Sequence, residues 1–330
     1  MIQENTFDRP ALFIMPNFAR EEESDALAFL SEAVEGVKSQ TDQNWHLCII
    51  DDNSSNVEVL SYLNKLVLEF PEKIKVIFLQ ENFGPGIARN FGLLIAKKNN
   101  SPFVLFNDSD DISHPERLKV TRAIFKENSE IGLVYSPFHI IDENNILRTV
   151  NEIPSSIMEI YELYQNGDLI EGEDVWIDMA TRTGYLNKTS ATSVLTSHIL
   201  KSPFPSSRAS EDYNVWMRLS AKGTHYKFVS SIPTRYRIPK YLNLQRSRAY
   251  LGNRNFNQTK LIFDEAAFEH SLDIALSRGK IDISDINMLK KKFYSRLIKS
   301  MQSEGEIELE SCLRQKLDEC TRISEIVQSI

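Results

Sequence analysis

The first half of the chain alternates short apolar runs with longer amphipathic stretches. Apolar residues recur at helical spacing between Leu27 and Val37, for example. Apolar runs predict strands at Ala11–Met15, His46–Ile50, Ile74–Leu79, Phe103–Phe106 and Ile131–Tyr135, the first ending at Pro16. Amphipathic patterns predict helices at Ser24–Gln40, Val57–Phe70, Pro85–Lys98 and Pro115–Glu127, with Ser24 as the N-cap of the first. This alternation is typical of an α/β fold with a doubly wound, mostly parallel sheet.

After Pro137 the pattern is looser. Extended segments are predicted at 138–150, 192–196, 225–229 and 232–238, and a helix at 210–222 with Ser210 as its N-cap. From about residue 257 to the end, three helices are predicted near 258–278, 284–303 and 306–328. We therefore predict a nucleotide-binding and catalytic domain over residues 1–240 and a helical C-terminal extension over residues 241–330.

Composition narrows the class of protein. The chain has 330 residues, with 38 Lys plus Arg against 46 Asp plus Glu, which gives a net charge of −8. An acidic chain is a poor general binder of nucleic acid. Three cysteines, none of them in a CxxC pair, exclude a disulfide framework and indicate no zinc site. The N-terminus lacks the apolar stretch of a signal peptide, and no apolar run could span a membrane. We therefore expect a cytoplasmic enzyme or binding protein.

Acidic and polar clusters follow three of the predicted strands, at 51–54, 84–90 and 108–111. In a parallel sheet the ends of these strands can meet in one crevice. Closely spaced carboxylates such as Asp108, Asp110 and Asp111 repel one another unless a cation neutralises them, and oxygen ligands suit Mg²⁺ or Mn²⁺. The alternative is a solvated acidic turn in which Asp111 caps a helix. Asp52 is either a helix cap or an acceptor of hydrogen bonds from a nucleotide.

Two further clusters carry candidate chemistry. Arg89 falls in the first turn of a predicted helix, where it could reach a pyrophosphate or lie on the surface. Glu211 and Asp212 open another helix, where a carboxylate could act as a general base or simply favour the helix N-terminus. A second acidic pair, Glu173 and Asp174, lacks helical spacing to its tryptophan. Basic residues at 290–299, including Arg296, are interpreted as a solvated helix face, a membrane contact or a contact to an acidic acceptor.

Taken together and in order, these motifs resemble those of the family 2 glycosyltransferases of the GT-A fold. The resemblance covers about residues 10–240. It rests on Phe13–Phe18, Gln40-Thr41 with Leu47–Ser54, Asn82–Gly92, Asp108–Asp111 as the DxD motif and Ser210–Arg218 as the EDxxxW segment. The resemblance implies an enzyme, a hexosyltransferase, that inverts the anomeric carbon of the transferred sugar.

The resemblance also implies a role for each site residue. Asp52 would accept a hydrogen bond from the nucleotide base, near Pro16 and Phe18 of the donor loop. Arg89 would hold the base or the diphosphate. Asp110 would be the main ligand of Mg²⁺ or Mn²⁺, and the other members of that motif would contribute to the metal and donor sites: Asp108, Ser109 and Asp111. Asp212 would be the catalytic base, supported by Glu211.

One departure from the family pattern lies after the EDxxxW segment. Many relatives carry Tyr-Arg-x-His there, whereas this chain has Pro239 in the position of the histidine. Basic residues that could instead close over the diphosphate are Arg237, Lys240, Arg246 and Arg248. The Q/RxxRW signature of processive synthases is not evident after Trp216, which favours transfer of single sugars.

The expected function is therefore metal-dependent transfer of one sugar from a nucleotide sugar, UDP-linked by preference, to an acceptor hydroxyl. The setting that the resemblance implies is bacterial polysaccharide biosynthesis at the cell surface, with a glycan or lipid-linked acceptor. Contact of the C-terminal helices with the inner face of the membrane and oligomerisation stay open. Two alternatives also stay open: a nucleotidyltransferase on a related α/β sheet, and a catalytically idle sugar- or partner-binding protein.

Overall fold

The computed structural model describes residues 6–153, 155–167, 169–242 and 246–329. It contains nine strands within that part of the chain. They are β1 (Ala11–Asn17), β2 (Trp45–Asp51), β3 (Ile74–Phe78), β4 (Phe103–Phe106), β5 (Ile131–Tyr135), β6 (Phe138–Ile141), β7 (Thr192–Leu195), β8 (His225–Phe228) and β9 (Thr234–Arg237).

Helices connect and cover the strands. They are α1 (Ala26–Lys38), α2 (Val57–Glu69), α3 (Pro85–Lys98), α4 (Arg117–Glu127), α5 (Ser155–Asn166), α6 (Trp176–Asp178), α7 (Thr196–Ile199), α8 (Glu211–Ala221), α9 (Arg246–Leu251), α10 (Asn253–Ser277), α11 (Ile283–Ser303) and α12 (Ile307–Ser329). Short 3₁₀ or π turns lie at Thr6–Asp8, Val150–Glu152, Met179–Thr183 and Thr189–Ala191.

Seven strands form the central sheet, in the order β3-β2-β1-β4-β7-β5-β8. All neighbours are parallel except β7, which runs antiparallel to β4 and β5. A second, two-stranded sheet pairs β6 with β9 in parallel. The predicted doubly wound, mostly parallel sheet is confirmed. The antiparallel β7 brings the chain back to the centre of the sheet, between the last two parallel strands of the first half.

Alternate residues of β1 enter separate cores on the two faces of the sheet. Phe13 and Met15 pack into the core beneath α1, α2 and α4, whereas Leu12 and Ile14 pack into the core that α3 and α8 cover. The period of two residues follows from the pleat of a strand. The C-terminal helices join the second core, where the rings of Phe268 on α10 and Phe293 on α11 stack at 4.1 Å. The sheet and the C-terminal helices therefore share one apolar core.

Several sequence predictions need correction at the ends of elements. Strand β1 continues through Pro16 to Asn17, because its pairing with β4 stops at Ile14 and the missing N–H of Pro16 is not needed there. Helix α1 follows Asp25, not Ser24.

The extended segment predicted at 138–150 is a strand only to Ile141. Oδ1 of Asp142 accepts the N–H groups of Asn144 and Ile146, each at 2.9 Å, and turns the chain. Helix α5 was not predicted. No helix of residues 6–153, 155–167, 169–242 or 246–329 is both long and apolar enough to cross a bilayer.

Candidate functional site

A cavity of about 810 Å³ opens at the carboxyl ends of the sheet strands. Its walls come from the loops after β1, β2 and β4, from the N-termini of α3 and α8, and from the C-terminal helices. The structure thus brings together side chains that are up to 250 residues apart in the sequence. All of the predicted site residues line this cavity except Asp111: Pro16, Phe18, Asp52, Arg89, Asp108, Ser109, Asp110, Glu211, Asp212 and Arg237.

The two acids after β2 have different partners. Asp51 is buried and accepts hydrogen bonds from Asn17 Nδ2 at 2.8 Å and from Ser54 Oγ at 2.6 Å, so it holds the two loops together. Asp52 lines the cavity and accepts the N–H groups of Phe83 and Gly84 at 2.8 and 2.7 Å. Burial raises the pKa of Asp52, although these two N–H groups act in the opposite direction. Neither acid caps α2, because Asn56 does so.

Arg89 links two carboxylates beneath the cavity. Its Nη1 lies 2.8 Å from Glu211 Oε1 and its Nη2 lies 2.7 Å from Asp108 Oδ1, and only 4% of its side chain is exposed. Burial lowers the pKa of Arg89, but Asp108 and Glu211 outweigh it and the net shift is upward. Arg89 is therefore a charged bridge between α8 and the loop after β4. These contacts differ from the base or diphosphate contact that the resemblance implies.

The close approach of α3 to α8 depends on a glycine. A Cβ atom at Gly86 would lie 2.7 Å from the backbone oxygen of Pro205 and 3.2 Å from Cγ of Glu211. Real Cβ atoms do not approach backbone oxygens so closely. The glycine therefore lets Arg89, one turn further along α3, reach Glu211 directly.

The acids after β4 divide into two groups. Asp108 and Asp110 line the cavity, with Asp108 29% exposed, whereas Asp111 is completely buried and its Oδ1 accepts the backbone N–H of Arg237 at 2.8 Å. Burial, with the negative charges of Asp110 and Asp108, raises the pKa of Asp111 well above its usual range. The structure therefore favours a structural role for Asp111, joining the loop to β9, in place of the predicted ligand role.

The donor set of Asp108 and Asp110 fits a divalent cation that shares its ligands with a phosphate. Their charges already act on each other's surroundings, as the shift of Asp111 shows, and a cation would relieve that repulsion. Among the described residues, no three His, Cys, Asp or Glu side chains form a complete metal cage. Mg²⁺ commonly binds through one or two carboxylates plus substrate phosphates, which is what this arrangement could supply.

The predicted base lies at the start of α8. Oδ2 of Asp212 accepts a hydrogen bond from Thr189 Oγ1 at 3.1 Å, and its Oδ1 accepts the N–H of Tyr213 at 2.8 Å. These two bonds fix a carboxylate that lines the cavity. Glu211 is buried, and burial followed by the charge of Asp212 raises its pKa to about 7, against the opposing effect of Arg89. Glu211 therefore supports the site through Arg89.

Ser210, the residue before α8, adopts a left-handed conformation with φ of 60° and makes no side-chain cap of the helix, contrary to the prediction. Its hydroxyl instead donates to Asp264 of α10 and hydrogen bonds with the hydroxyl of Tyr185 at 2.8 Å. The turn that presents Glu211 and Asp212 is therefore held from the C-terminal side of the chain.

Arg237 is used within the fold. Its Nε donates to the Asp110 carbonyl at 2.9 Å, its Nη1 to the Asp142 carbonyl at 2.9 Å and its Nη2 to Glu32 at 2.6 Å, and its side chain has no exposed surface. The predicted contact of Arg237 with the diphosphate is therefore not supported by this geometry. Arg237 instead clamps the loop that carries Asp110.

The other basic candidates also have partners. Lys240 pairs with Asp142 and Glu152 at 3.4 and 3.3 Å, and Arg248 pairs with Glu304. The side chain of Arg246 lies outside the described part of the structure. The second acidic pair, Glu173 and Asp174, does not line the cavity and binds Arg278 and Lys280 instead.

Sequence reasoning missed part of the cavity wall. Tyr185, Lys188, Thr189 and Lys260 line it, and no motif or spacing distinguished them. Arg296 also lines it; the sequence had marked it only as one member of a basic stretch. These residues reach the site through the packing of α10 and α11 against α8, which has no local signature in the sequence.

Comparisons with known proteins agree with this architecture. The family model described as Glycosyl transferase family 2 matches residues 13–188, which is more than half of the chain. An uncharacterized glycosyltransferase of Methanocaldococcus jannaschii is 26% identical over 215 residues, which is 64% of this chain and 66% of the relative. The Escherichia coli UDP-Glc:alpha-D-GlcNAc-diphosphoundecaprenol beta-1,3-glucosyltransferase WfgD is 31% identical over 135 residues, 41% of this chain and 47% of the relative. The chain thus spans less than two thirds of the length of either relative.

Solved structures share the fold at low sequence identity. S. aureus TarS 1-349 in complex with UDP-GlcNAc superposes with a TM-score of 0.55 at 15% identity, covering 95% of this chain and 89% of that one. The mannosyltransferase PcManGT from Pyrobaculum calidifontis, in complex with GDP-Man and Mn²⁺, gives a TM-score of 0.51 at 12% identity, covering 95% and 84%. The predicted GT-A type of sheet is confirmed.

Proposed function

Because the chain belongs to glycosyl transferase family 2, we propose that it transfers a single sugar from a nucleoside-diphosphate sugar to an acceptor hydroxyl, with inversion at the anomeric carbon. One observation carries the proposal. The carboxylate of Asp212 lies in the same cavity as Asp52, Asp108 and Asp110, so a donor-binding region and a candidate base share one space.

The donor end of the cavity is the region of Asp52 and Phe18. Asp52 keeps its carboxylate at the wall because two backbone N–H groups fix both of its oxygens. Each oxygen retains a second lone pair, which can accept a hydrogen bond from the nucleotide base. Phe18 lines the same end and offers an apolar surface to that base.

Asp108 and Asp110 are the residues that would hold Mg²⁺ or Mn²⁺. A bound divalent cation supplies neutralisation of the charge on the diphosphate leaving group. The chain's own contribution is to hold these two acids in place: Arg89 binds Asp108 on one side, and Arg237 binds the Asp110 carbonyl on the other.

Asp212 is the proposed general base. Its position at the start of α8 and its hydrogen bond from Thr189 orient one oxygen toward the cavity wall formed by the C-terminal helices. It would take the proton of the acceptor hydroxyl as the hydroxyl oxygen bonds to the anomeric carbon and the nucleoside diphosphate leaves. Glu211 does not need to touch substrate, because its contact with Arg89 already positions α8.

Finer details remain part of the proposal. The donor is proposed to be UDP-linked and the acceptor a glycan or lipid-linked glycan in bacterial polysaccharide biosynthesis. The name of WfgD, which states UDP-Glc and a diphosphoundecaprenol acceptor, supports this. Residues 1–240 would hold the donor and residues 241–330 would complete the acceptor side. The proposed place of action is the cytoplasm or the inner face of the membrane.

The test is a screen of nucleotide sugars with Mn²⁺ or Mg²⁺, read out as melting temperature and as release of nucleoside diphosphate. A donor that binds the native state raises the melting temperature. We expect one donor to stabilise the protein and to yield nucleoside diphosphate. Asp212→Asn should keep the stabilisation and lose turnover by about a hundredfold or more, as expected for a general base.

The control for that variant is Asp174→Asn, which removes a carboxylate outside the cavity and should leave turnover unchanged. Full activity of Asp212→Asn would overturn the assignment of the base. Release of pyrophosphate in place of nucleoside diphosphate would indicate a nucleotidyltransferase. Donor binding without any turnover would indicate a binding protein.

A further inference from the structure

The cavity continues past the proposed base into a region that the donor residues do not reach. Glu211 faces Arg89 on one side of α8, whereas the next residue but one, Tyr213, contacts Arg296 of α11 on another. Residues two positions apart on a helix point in different directions. The cavity therefore has a second arm, bounded by α10 and α11, on the far side of Asp212 from Arg89.

Positive side chains line this second arm. They are Lys188, Arg248, Lys260 and Arg296. Two of them are neutralised within the fold, because Arg248 pairs with Glu304 and Lys260 pairs with Asp264 at 2.5 Å. Among residues 6–153, 155–167, 169–242 and 246–329, no carboxylate forms an ion pair with Lys188 or Arg296. The arm thus presents two unneutralised cations.

Lys188 is buried without a hydrogen-bond acceptor. Only 8% of the residue is exposed, and its Nζ lies 5.6 and 5.2 Å from the ring centres of Tyr185 and Tyr236, with no oxygen acceptor in the described part of the chain. Burial lowers the pKa of Lys188, although Asp212 acts in the opposite direction. A desolvated ammonium group is costly unless it gains a partner. An anionic group in the cavity would supply that partner.

Arg296 is anchored with part of its donor capacity unused. Its Nε donates to the carbonyl of Ala180 at 2.8 Å and its Nη2 to the Tyr213 hydroxyl at 3.2 Å. A guanidinium carries five N–H donors, so donors remain for a ligand. The ring of Tyr213 lies 5.2 Å from that of Tyr185, which is also the ring beside Lys188. The two tyrosines therefore connect the two cations along one wall.

We infer that this second arm is an acceptor subsite for a phosphate-bearing acceptor, whose phosphate oxygens bind Arg296 and Lys188. The inference rests on the proposed function, because it assigns the acceptor side of the same reaction. Arginine and lysine are the side chains that bind phosphate oxygens with charge-assisted hydrogen bonds. A neutral oligosaccharide would leave both cations without an acceptor. The phosphate would lie beside the hydroxyl that reacts and would position it near Asp212.

The experiment is a calorimetric titration of the full chain with two probes that differ in one phosphate, α-D-glucose 1-phosphate and methyl α-D-glucopyranoside. The protein is first saturated with Mn²⁺ and with whichever of UDP and GDP raises its melting temperature, so that the donor end is filled. We expect glucose 1-phosphate to bind and the neutral glucoside to bind at least about tenfold more weakly, because hydrogen bonds to charged groups contribute about 1.5–3 kcal/mol.

Arg296→Gln should weaken the binding of glucose 1-phosphate about tenfold to a hundredfold while leaving nucleotide binding unchanged. Arg296→Lys keeps the charge and should lose less, which guards against a variant that merely disturbs the fold. Lys299→Gln is the matched control, since Lys299 is exposed on the same helix and does not line the cavity. It should bind the probe as the unmodified protein does.

Three results would overturn the inference. They are equal binding of the two probes, unchanged binding in Arg296→Gln, and loss of glucose 1-phosphate binding when the nucleotide is present. The last result would place the probe phosphate at the diphosphate position of the donor and would leave the proposed function intact. If neither nucleotide binds but glucose 1-phosphate still binds through Arg296, the proposed function fails and the anion site stands.

Discussion

The bridge between Arg89, Glu211 and Asp108 gives a sharp test of how the site is held together. Replacing Arg89 with methionine keeps much of the side-chain volume but removes the charge. Glu211, with 10% of its side chain exposed, then loses its cation, whereas Asp108, with 29% exposed, can still be solvated. Removing one partner of a buried ion pair costs about 3–5 kcal/mol, because the other charge stays buried.

The expected size of the effect follows from these values. At about 2 °C per kcal/mol, the lower end of the range for chains of 150–250 residues, Arg89→Met should lower the melting temperature by about 6–10 °C. Glu211→Gln should cost less, about 1 kcal/mol, because Arg89 keeps Asp108 and the amide oxygen can still accept from its Nη1. The double variant should be less destabilised than the sum of the two, with a coupling of about 1–3 kcal/mol.

The assay is thermal and denaturant unfolding of the four proteins of this cycle. Lys119→Met is the matched control, since Lys119 and Glu116 form an exposed pair with 64% and 49% of their side chains accessible. It should change stability by less than about 0.5 kcal/mol. Strict additivity of Arg89→Met and Glu211→Gln, or a melting temperature of Arg89→Met within about 2 °C of the parent, would show that the bridge does not carry the energy assigned to it.

Three further predictions concern packing, the metal site and pH. Gly92→Ala should destabilise the protein by about 1–3 kcal/mol in denaturant, because its Cβ would lie 2.5 Å from Ile14 Cγ2 in the core; an unchanged midpoint would contradict the packing argument. Asp110→Asn should abolish the Mn²⁺-dependent part of nucleotide stabilisation, whereas Asp111→Asn should retain it, and equal losses in melting assays would restore Asp111 as a ligand. Because the pKa of Glu211 is raised from its ordinary 4.5 to about 7, the folded state binds that proton more tightly than the unfolded chain, so stability falls as pH rises from about 4.5 to 7. Melting curves over this range should therefore be steeper for the parent than for Glu211→Gln, and parallel curves would refute the assignment.

The first half of the chain was predictable because its signals are local. Each strand from β1 to β5 is a short apolar run, and each following loop carries its polar residues next to that run. The placement of Asp52 and Asp108 at one edge follows from the parallel sheet alone. The difference between Asp110 and Asp111 could not be predicted, because it depends on a hydrogen bond from β9, which lies 126 residues further along the chain.

Long-range partners also explain why Arg89 and Arg237 were assigned to the wrong contacts at the level of geometry. Both sit next to motifs that resemble donor-binding segments, and a sequence pattern cannot show whether a guanidinium faces a ligand or a buried carboxylate. Glu211 and Glu32, which bind them, lie 122 and 205 residues away. Arg296 posed the opposite problem: its basic neighbours suggested a solvated helix face, while its own side chain lines the cavity.

The apolar core shared by the sheet and the C-terminal helices bears on how the chain folds as it is synthesised. Trp176 and Trp216 are fully buried in the core to which Phe268 and Phe293 belong, and those phenylalanines leave the ribosome after every strand of the sheet has been made. Until they arrive, this face of the nascent sheet has no cover. We expect the emerging chain to be most prone to aggregation, and most dependent on chaperones, in the interval between β9 and the end of α11.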